Sequence, residues 1–374
     1  MITRPPAEVG MPLEAVDTPA LLLDLDAFER NLARLAAAVS GTGVRLRPHS
    51  KSHKCPVIAL RQLAVGAVGV CCQKVSEAEA MVYGGVPDVL VSNQIVGKPK
   101  IARLVALAKQ AHVAVCVDDA GNVSDLSAAA TAFGVRLSVL VEINVGADRC
   151  GVAPGEPALA LARHIAGSPG LRFAGLQAYQ GSAQHIRDFA KRKEAIDVAA
   201  EKTRRTVDLL RQHDLPCTLV SGAGTGTYPF EAASGIWNEL QAGSYIFMDA
   251  DYLKNLKPDG TAGSEFAPSL FVYATVMSRP TKDRAILDAG LKALSVDSGM
   301  PWVAGMQDVE YLRASDEHGK LTLHDPARAL PLGSKLRLVP GHCDPTVNLY
   351  DWYVCYRDNR VEALWPITAR GAVL

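Results

Sequence analysis

The residues best equipped for chemistry lie in the octet RPHSKSHK, which gathers Arg47, His49, Lys51, His53 and Lys54 within eight positions. A lysine that is desolvated and set among other cations gives up its proton more readily, and its free amine can attack a carbonyl to form a Schiff base. A solvated basic loop fits the same spacing, because clustered positive charge on a loop ordinarily faces water. A second stretch, GHCDPT at 341–346, holds His342 and Asp344 two positions apart. In an extended strand that spacing turns both side chains to one face, with Cys343 pointing away. An imidazole and a carboxylate with further positions left to water suit a catalytic divalent ion such as Mn²⁺ or Zn²⁺, and a hydrogen-bonded pair in a turn before Pro345 is the alternative. The third stretch, SGAGTGT at 221–227, could present backbone N–H groups to a phosphate, with Gly222, Gly224 and Gly226 allowing close approach. Glycines also serve turns of positive φ, so the loop alone decides nothing. Arg149 in GADRCG, and Tyr179 and His185 in QAYQGSAQH, complete the set.

These residues need a scaffold that brings distant loops together. From about residue 20 to 250 the chain alternates short apolar, β-branched runs with longer Ala/Leu-rich stretches at helical spacing, the pattern of repeated βα units. Eight strands are expected, over Ala20–Leu25, Val44–Pro48, Val68–Cys72, Asp88–Ser92, His112–Val117, Leu137–Asn144, Phe173–Tyr179 and Cys217–Ser221, with helices such as Asp26–Val39 and Lys98–Ala111 between them. Eight such units predict a closed (β/α)₈ barrel of the TIM type, in which loops at the C-terminal strand ends carry the chemistry. Arg149, His185, the glycine loop and the Lys51 octet lie at or after the ends of expected strands and Tyr179 ends one, so they would open on one rim. After about Asp251 the runs LFVYATVMS, RAILDAG, KLTLHD, SKLRLVPGH and LYDWYVCYR have no long helical stretch between them. They predict a mainly antiparallel β domain. The expected division is a barrel over 18–253 and a β domain built from 1–17 with 254–374, the latter carrying GHCDPT.

Composition narrows the function classes. With 39 basic and 39 acidic residues the formal charge is zero. No electrostatic grip on nucleic acid or an anionic membrane is expected, and the partner should be a small molecule. No apolar segment is long enough to span a bilayer and the N-terminus lacks a signal-peptide pattern, so a cytoplasmic protein is expected. The eight cysteines include Cys71, Cys72, Cys116 and Cys355 inside strand-like runs, and no CxxC occurs, which predicts reduced thiols and neither zinc ribbon nor redox motif.

Taken in order, RPHSKSHKC, GADRCG, LQAYQGS, SGAGTGT, ELQAGSYIFMD, ILDAGLK and VPGHCDPT resemble the D-threonine aldolase group of the alanine-racemase-like, fold-type III pyridoxal-phosphate enzymes. The resemblance spans nearly the whole chain, and the lysine octet together with HCDPT carries its specificity. It implies that Lys51 is the Schiff-base lysine, with Lys54 as a supporting cation. Arg149 would lie near the cofactor's phenolate oxygen and Tyr179 beside its pyridine ring. Gly224 and Thr225, with Gly243, Ser244 and Tyr245, would cradle the phosphate. His342 and Asp344 would hold the metal, with His185 near it as an acid/base group. The resemblance further implies a homodimer with active sites at the interface. Two positions depart from the group's usual residues: Gln180, often histidine, and Ala223, often glycine.

The activity so implied is retro-aldol cleavage of D-3-hydroxy amino acids, D-threonine giving glycine and acetaldehyde. Pyridoxal phosphate serves as electron sink, and the metal on His342 and Asp344 acidifies the β-hydroxyl. A dehydratase of the D-serine or 3-hydroxyaspartate type is the nearest alternative. Relatives of that type tend to place a cysteine, with zinc, where this chain has Asp344; a harder oxygen ligand suits Mn²⁺ or Mg²⁺. A non-catalytic pyridoxal-phosphate carrier needs no metal, and a racemase would leave His342 and Asp344 without a task.

Overall fold

The computed structural model describes residues 4–374, so residues 1–3 of the expected 1–17 segment lie outside the described residues. Eight parallel strands form one sheet: Arg45–Leu46, Val70–Cys72, Asp88–Gln94, His112–Val117, Leu137–Glu142, Leu171–Ala178, Leu219–Gly222 and Glu239–Leu240. Glu239–Leu240 pairs with Arg45–Leu46 at one end. At the other, the Leu46 carbonyl accepts from Val68 N (2.8 Å), the Pro48 carbonyl from Cys71 N (2.9 Å), and His49 bridges Cys71 in parallel. The sheet therefore closes into the expected barrel.

Its helices form for local reasons. Ala120–Phe133 starts at Asp119, whose carboxylate accepts from Asn122 N at 2.8 Å, and stops at Gly134 with φ +65°. Between these caps Val123, Leu126, Ser127 and Ala130 recur at helical spacing and are buried against the barrel. Strands such as Leu137–Glu142 are buried along their whole length, as parallel strands covered by helices must be.

Two strand assignments need correction. The run at Ala20–Leu25, expected as the first barrel strand, forms Ala20–Asp24 in the other sheet, pairing antiparallel with Leu270–Thr281 and parallel with Trp352–Arg357. The eighth barrel strand is instead Glu239–Leu240, a two-residue segment whose buried Glu239 pairs with Arg47 at 2.9 Å. Arg149, His185 and SGAGTGT thus follow the fifth, sixth and seventh barrel strands, and AGSY follows the eighth.

The second sheet has nine strands and is mainly antiparallel. Its order is Arg284–Leu287, Gly319–Leu323, Val309–Ala314, Trp302–Val303, Lys335–Val339, Leu270–Thr281, Ala20–Asp24, Trp352–Arg357 and Arg360–Pro366. Arg284–Leu287 also pairs with Leu270–Thr281, curling the sheet on itself. All eight cysteines are free thiols; Cys71, Cys72, Cys116 and Cys355 lie buried in strands, where loss of hydration raises each thiol's pKa. No helix among the described residues is long and apolar enough to cross a membrane.

Candidate active site

Lys51 sits in a single helical turn, Ser50–Ser52, just past the strand Arg45–Leu46. The turn is fixed from below. His49 accepts from Lys51 N through Nδ1 at 3.3 Å, and Ser50 Oγ donates to the buried Glu77 at 2.6 Å. Lys51 Nζ emerges half-exposed and meets Asp344 Oδ2 at 3.2 Å. That carboxylate raises the lysine's pKa, outweighing the opposing effect of burial. The neighbouring cations expected to depress it point elsewhere. Arg47 runs to the opposite mouth of the barrel, pairing with Glu239 and with Asp88 at 2.6 Å. Lys54, at φ +51°, donates to the carbonyls of Ala369 (3.2 Å) and Ala372 (3.4 Å), so it anchors the C-terminal turn and is no supporting cation in the cleft. His49 and His53 are buried and held neutral, His53 at a pKa of about 3, because burial disfavours the imidazolium.

The cleft above Lys51 is walled by Arg149, Tyr179, Gly224, Thr225, Gly243, Ser244 and Tyr252 with His49 and Ser52. The Arg149 guanidinium lies over the Tyr179 ring, 5.5 Å from its centroid. Burial, partly offset by the charges of Lys51 and Arg149, keeps the Tyr179 phenol protonated. At the far side Thr225 Oγ1 is buried without a partner, beside the open backbone of Gly224. A Cβ at Gly224 would come 2.4 Å from the side-chain amide of Gln184, and one at Gly243 2.7 Å from Ser52 Oγ and 3.0 Å from the His49 carbonyl, so a side chain at either position would crowd the loops that close around the cleft. Ala223 holds φ +71°, a left-handed conformation costly for a residue with a Cβ. An orphaned hydroxyl beside two glycines, at the ends of barrel strands seven and eight, fits the phosphate of pyridoxal phosphate. Tyr245 departs from the expectation: its side chain lies in the core, its hydroxyl accepting from Gln62 Nε2 at 3.3 Å and its ring packed on Phe266.

The β domain meets this cleft at Asp344, the partner of Lys51. GHCDPT is not extended. Cys343–Val347 is a short helix with His342 at its N-cap, so the two-residue periodicity expected of a strand does not apply. His342 and Asp344 nevertheless act on each other, Asp344 raising the imidazole's pKa against the cost of burial. Asp344 is itself held below the usual carboxylate range, because Lys51 and His342 outweigh its burial. Its Oδ1 is buried with no hydrogen-bond partner, and the equally unpartnered Ser52 hydroxyl lies beside it. His342 is oriented by Asp297, whose Oδ2 accepts from Nδ1 at 2.8 Å. Cys343 points away into the core as expected, with its N–H donating to Asp249 at 3.1 Å. Among the described residues no group of three or more His, Cys, Asp or Glu side chains is arranged around a common point. An imidazole and a carboxylate with an orphaned oxygen would fit an open, water-completed ion and not a closed structural one.

His185 does not line the cleft. It stands one ring outside, stacked on Tyr252 at 5.7 Å, and Nδ1 donates to Asp251 Oδ2 at 2.7 Å. Arg187 holds the other oxygen of Asp251. Tyr252, Asp249, Asp251, Asp297, Ser52 and the cleft-lining Gln73 and Gln241 were not singled out from the sequence. Tyr252 and Asp251 could have been: DADY follows the AGSY segment and is dense in polar residues where the apolar run YIFM has just ended.

Comparison with known proteins accounts for this combination. Residues 23–251 match the family model described as alanine racemase, N-terminal domain, and residues 269–356 that of a putative serine dehydratase domain. The chain is 50% identical to a D-threonine aldolase of Arthrobacter sp, covering 98% of this chain and 96% of that one. It is 49% identical to a 3-hydroxy-D-aspartate aldolase of Paracoccus denitrificans, covering 98% and 95%. A D-threo-3-hydroxyaspartate dehydratase of Delftia sp. is more distant, at 30% identity over 89% and 92%. The crystal structure of D-threonine aldolase from Filomicrobium marinum superposes with a TM-score of 0.96 at 51% identity over the full length of both chains. With matches of this extent to both halves, and a lysine-bearing barrel rim facing an acid-and-imidazole wall, the chain belongs to the alanine racemase N-terminal domain family, in the group that contains D-threonine aldolase.

Proposed function

We propose that this protein is a lyase that cleaves D-3-hydroxy amino acids between Cα and Cβ by a retro-aldol reaction. The observation that carries the reading is the contact of Lys51 with Asp344 at 3.2 Å, which sets the amine from the barrel against the His342–Asp344 pair of the β domain in one cleft. Full-length relatives near 50% identity that are named aldolases support it.

Lys51 would hold pyridoxal phosphate, with Arg149 and Tyr179 flanking its ring and Thr225, Ser244 and the backbone at Gly224 and Gly243 receiving its phosphate. His342 and Asp344 would hold a divalent metal. When bound, the cofactor supplies an electron sink for the charge left at Cα, and the metal stabilises negative charge on the β-oxygen. The chain's own groups do the rest. Asp251 engages Nδ1 of His185, which leaves Nε2 with the lone pair, and because His185 stands outside the cleft lining it would take the β-hydroxyl proton through an intervening water and not by direct contact. Tyr252, stacked between His185 and the cleft, fixes that ring's plane. Asp297 does the same for His342 by fixing its tautomer. The Asp344 carboxylate ligand, harder than a thiolate, favours Mn²⁺, with Mg²⁺ or Zn²⁺ as substitutes.

Free, largely buried thiols support a cytoplasmic location. A homodimer is supported by a groove in the β domain where Trp302, 43% exposed, stands beside Pro301 and Met306. The deciding experiment supplies purified protein with pyridoxal phosphate and Mn²⁺, offers D-threonine and D-serine, and assays aldehyde plus glycine separately from 2-oxo acid plus ammonia. Aldehyde and glycine that vanish on chelation and return with Mn²⁺ are expected. A 2-oxo acid without aldehyde would overturn the reading in favour of a dehydratase.

A further inference from the structure

Sequence identity does not separate the two aldolase specificities among the relatives, since 50% and 49% are equivalent. The difference between their substrates is the group on Cβ: a methyl in threonine, a carboxylate in 3-hydroxyaspartate. We infer that Lys254 makes this protein selective for D-3-hydroxy amino acids whose Cβ carries an anionic group; the inference rests on the retro-aldol reading of the same site.

Lys254 closes the short helical turn Tyr252–Lys254, which begins with the cleft-lining Tyr252. Its ammonium lies over the loop opposite: a Cβ built on Gly299 would be 3.2 Å from Lys254 Nζ. That loop is in direct contact with the metal-ligand segment. A Cβ on Gly341 would fall 1.9 Å from the Gly299 carbonyl oxygen, and Ser298 Oγ is 3.4 Å from His342 Nδ1. The ammonium therefore stands between the turn that carries the cleft-lining Tyr252 and the loop that touches His342.

The other cations nearby are engaged. Lys51 pairs with Asp344, Arg187 with Asp251 and Asn255, and Arg149 lies over Tyr179. Lys254 makes no ion pair, side-chain hydrogen bond or ring contact among the described residues, and it is exposed. Asp297, the acid on the facing loop, is occupied by His342 Nδ1 (2.8 Å), Ser295 Oγ (2.7 Å) and Ser298 Oγ (3.0 Å). A substrate with Cα above Lys51 and its β-oxygen toward His342 and Asp344 would direct the remaining Cβ substituent outward, toward the gap between that turn and that loop. A methyl group gains nothing from an ammonium there, whereas a carboxylate gains an ion pair that also steers its approach.

The test compares wild type, K254Q and K254R as holoenzymes with pyridoxal phosphate and Mn²⁺. Dissociation constants of D-aspartate and D-alanine are read from the cofactor's absorbance, and steady-state constants are measured for 3-hydroxy-D-aspartate and D-threonine. K254Q is expected to weaken D-aspartate about five- to tenfold and to raise KM for 3-hydroxy-D-aspartate by a similar factor, as for a partly exposed charge contact. Its kcat, and all constants for D-alanine and D-threonine, should hold within about twofold, and K254R should restore most of the loss. Equal losses for both substrate classes, or none for either, would overturn the assignment. Because D-aspartate has no hydroxyl to cleave, its binding reports on Lys254 independently of turnover; a wild type that yields no aldehyde from any D-3-hydroxy amino acid would instead sink the retro-aldol reading.

Discussion

Three side chains would carry the proposed chemistry and each is held by a second one: Lys51 by Asp344, His342 by Asp297, His185 by Asp251. Removing a holder should therefore leave its client present but misdirected. Asp297→Asn keeps the size and loses the charge that fixes His342 with Nδ1 toward the loop. It is expected to weaken Mn²⁺ binding by about 10- to 100-fold, as outer-shell carboxylates generally do, while the melting temperature of the metal-free protein stays within a few degrees. Titration calorimetry with Mn²⁺ checks this; an unchanged affinity would show that Asp297 does not orient the imidazole. Lys51→Ala is the stricter case. It should lower kcat by about three orders of magnitude or more and abolish the cofactor adduct that borohydride reduction fixes on the wild-type chain, read by mass spectrometry. A fixed adduct persisting in Lys51→Ala would move the attachment point to another lysine.

At the scale of elements, the loops after barrel strands six and seven form one hydrogen-bonded unit behind the cleft. Gln184 donates to Thr227 Oγ1 at 2.7 Å, Thr227 Oγ1 donates to Glu231 at 2.8 Å, and Gly226 N donates to Gln184 at 2.9 Å. Glu231 is buried with Oε2 unpartnered, and burial lifts its pKa to about 7. A folded-state pKa above the unfolded one means that the folded state holds the proton longer. The associated stability is complete below about pH 4.5, falls as pH rises toward 7, and is constant above it, a change on the order of 3–4 kcal/mol. Glu231→Gln removes that dependence, so its melting temperature relative to wild type should rise from pH 5 to pH 7.5; a pH-independent difference would show that Glu231 does not titrate in this window. None of this unit except the glycines was legible in the sequence, because Gln184 and Glu231 acquire meaning only when two loops meet. Legibility followed periodicity elsewhere. The βα alternation was enough for the barrel, and Lys51, Arg149, Tyr179, Gly224, Thr225, Gly243 and Ser244 do converge on one cleft. Glu239–Leu240 escaped because two residues carry no period, and ALLLD at 20–24 was placed in the wrong sheet because a strand buried on both faces reads alike in either.

For the whole molecule, that misplaced strand explains how a site split between two sheets stays assembled. Ala20–Asp24 is central in the second sheet, flanked by Leu270–Thr281 and Trp352–Arg357, yet the next residue opens the helix Leu25–Val39 that leads into the barrel. Leu21 and Leu23 pack in the large core shared with the barrel helices, while Leu22 faces a separate cluster with Val16, Phe271, Tyr273 and Val354. One strand thus ties both faces of the β domain to the barrel, and Lys51 meets Asp344 across the junction it secures. Deleting it would leave two flanking strands with unpaired backbone groups in a sheet interior, which no surface loop can replace. A milder change tests the coupling. Leu22→Ala, at a side chain with no exposed surface, should cost about 2–5 kcal/mol from lost transfer energy and the cavity left behind. If the strand unites the two sheets, helix signal by circular dichroism and tryptophan fluorescence, which reports on Trp302, Trp352 and Trp365 of the β sheet as well as Trp237 beside the barrel, should unfold in one coincident transition shifted to lower denaturant with unchanged slope. Two separated transitions in the variant, with the tryptophan signal lost first, would mean that the barrel stands without the β domain and that the Lys51–Asp344 contact is a docking of independent units.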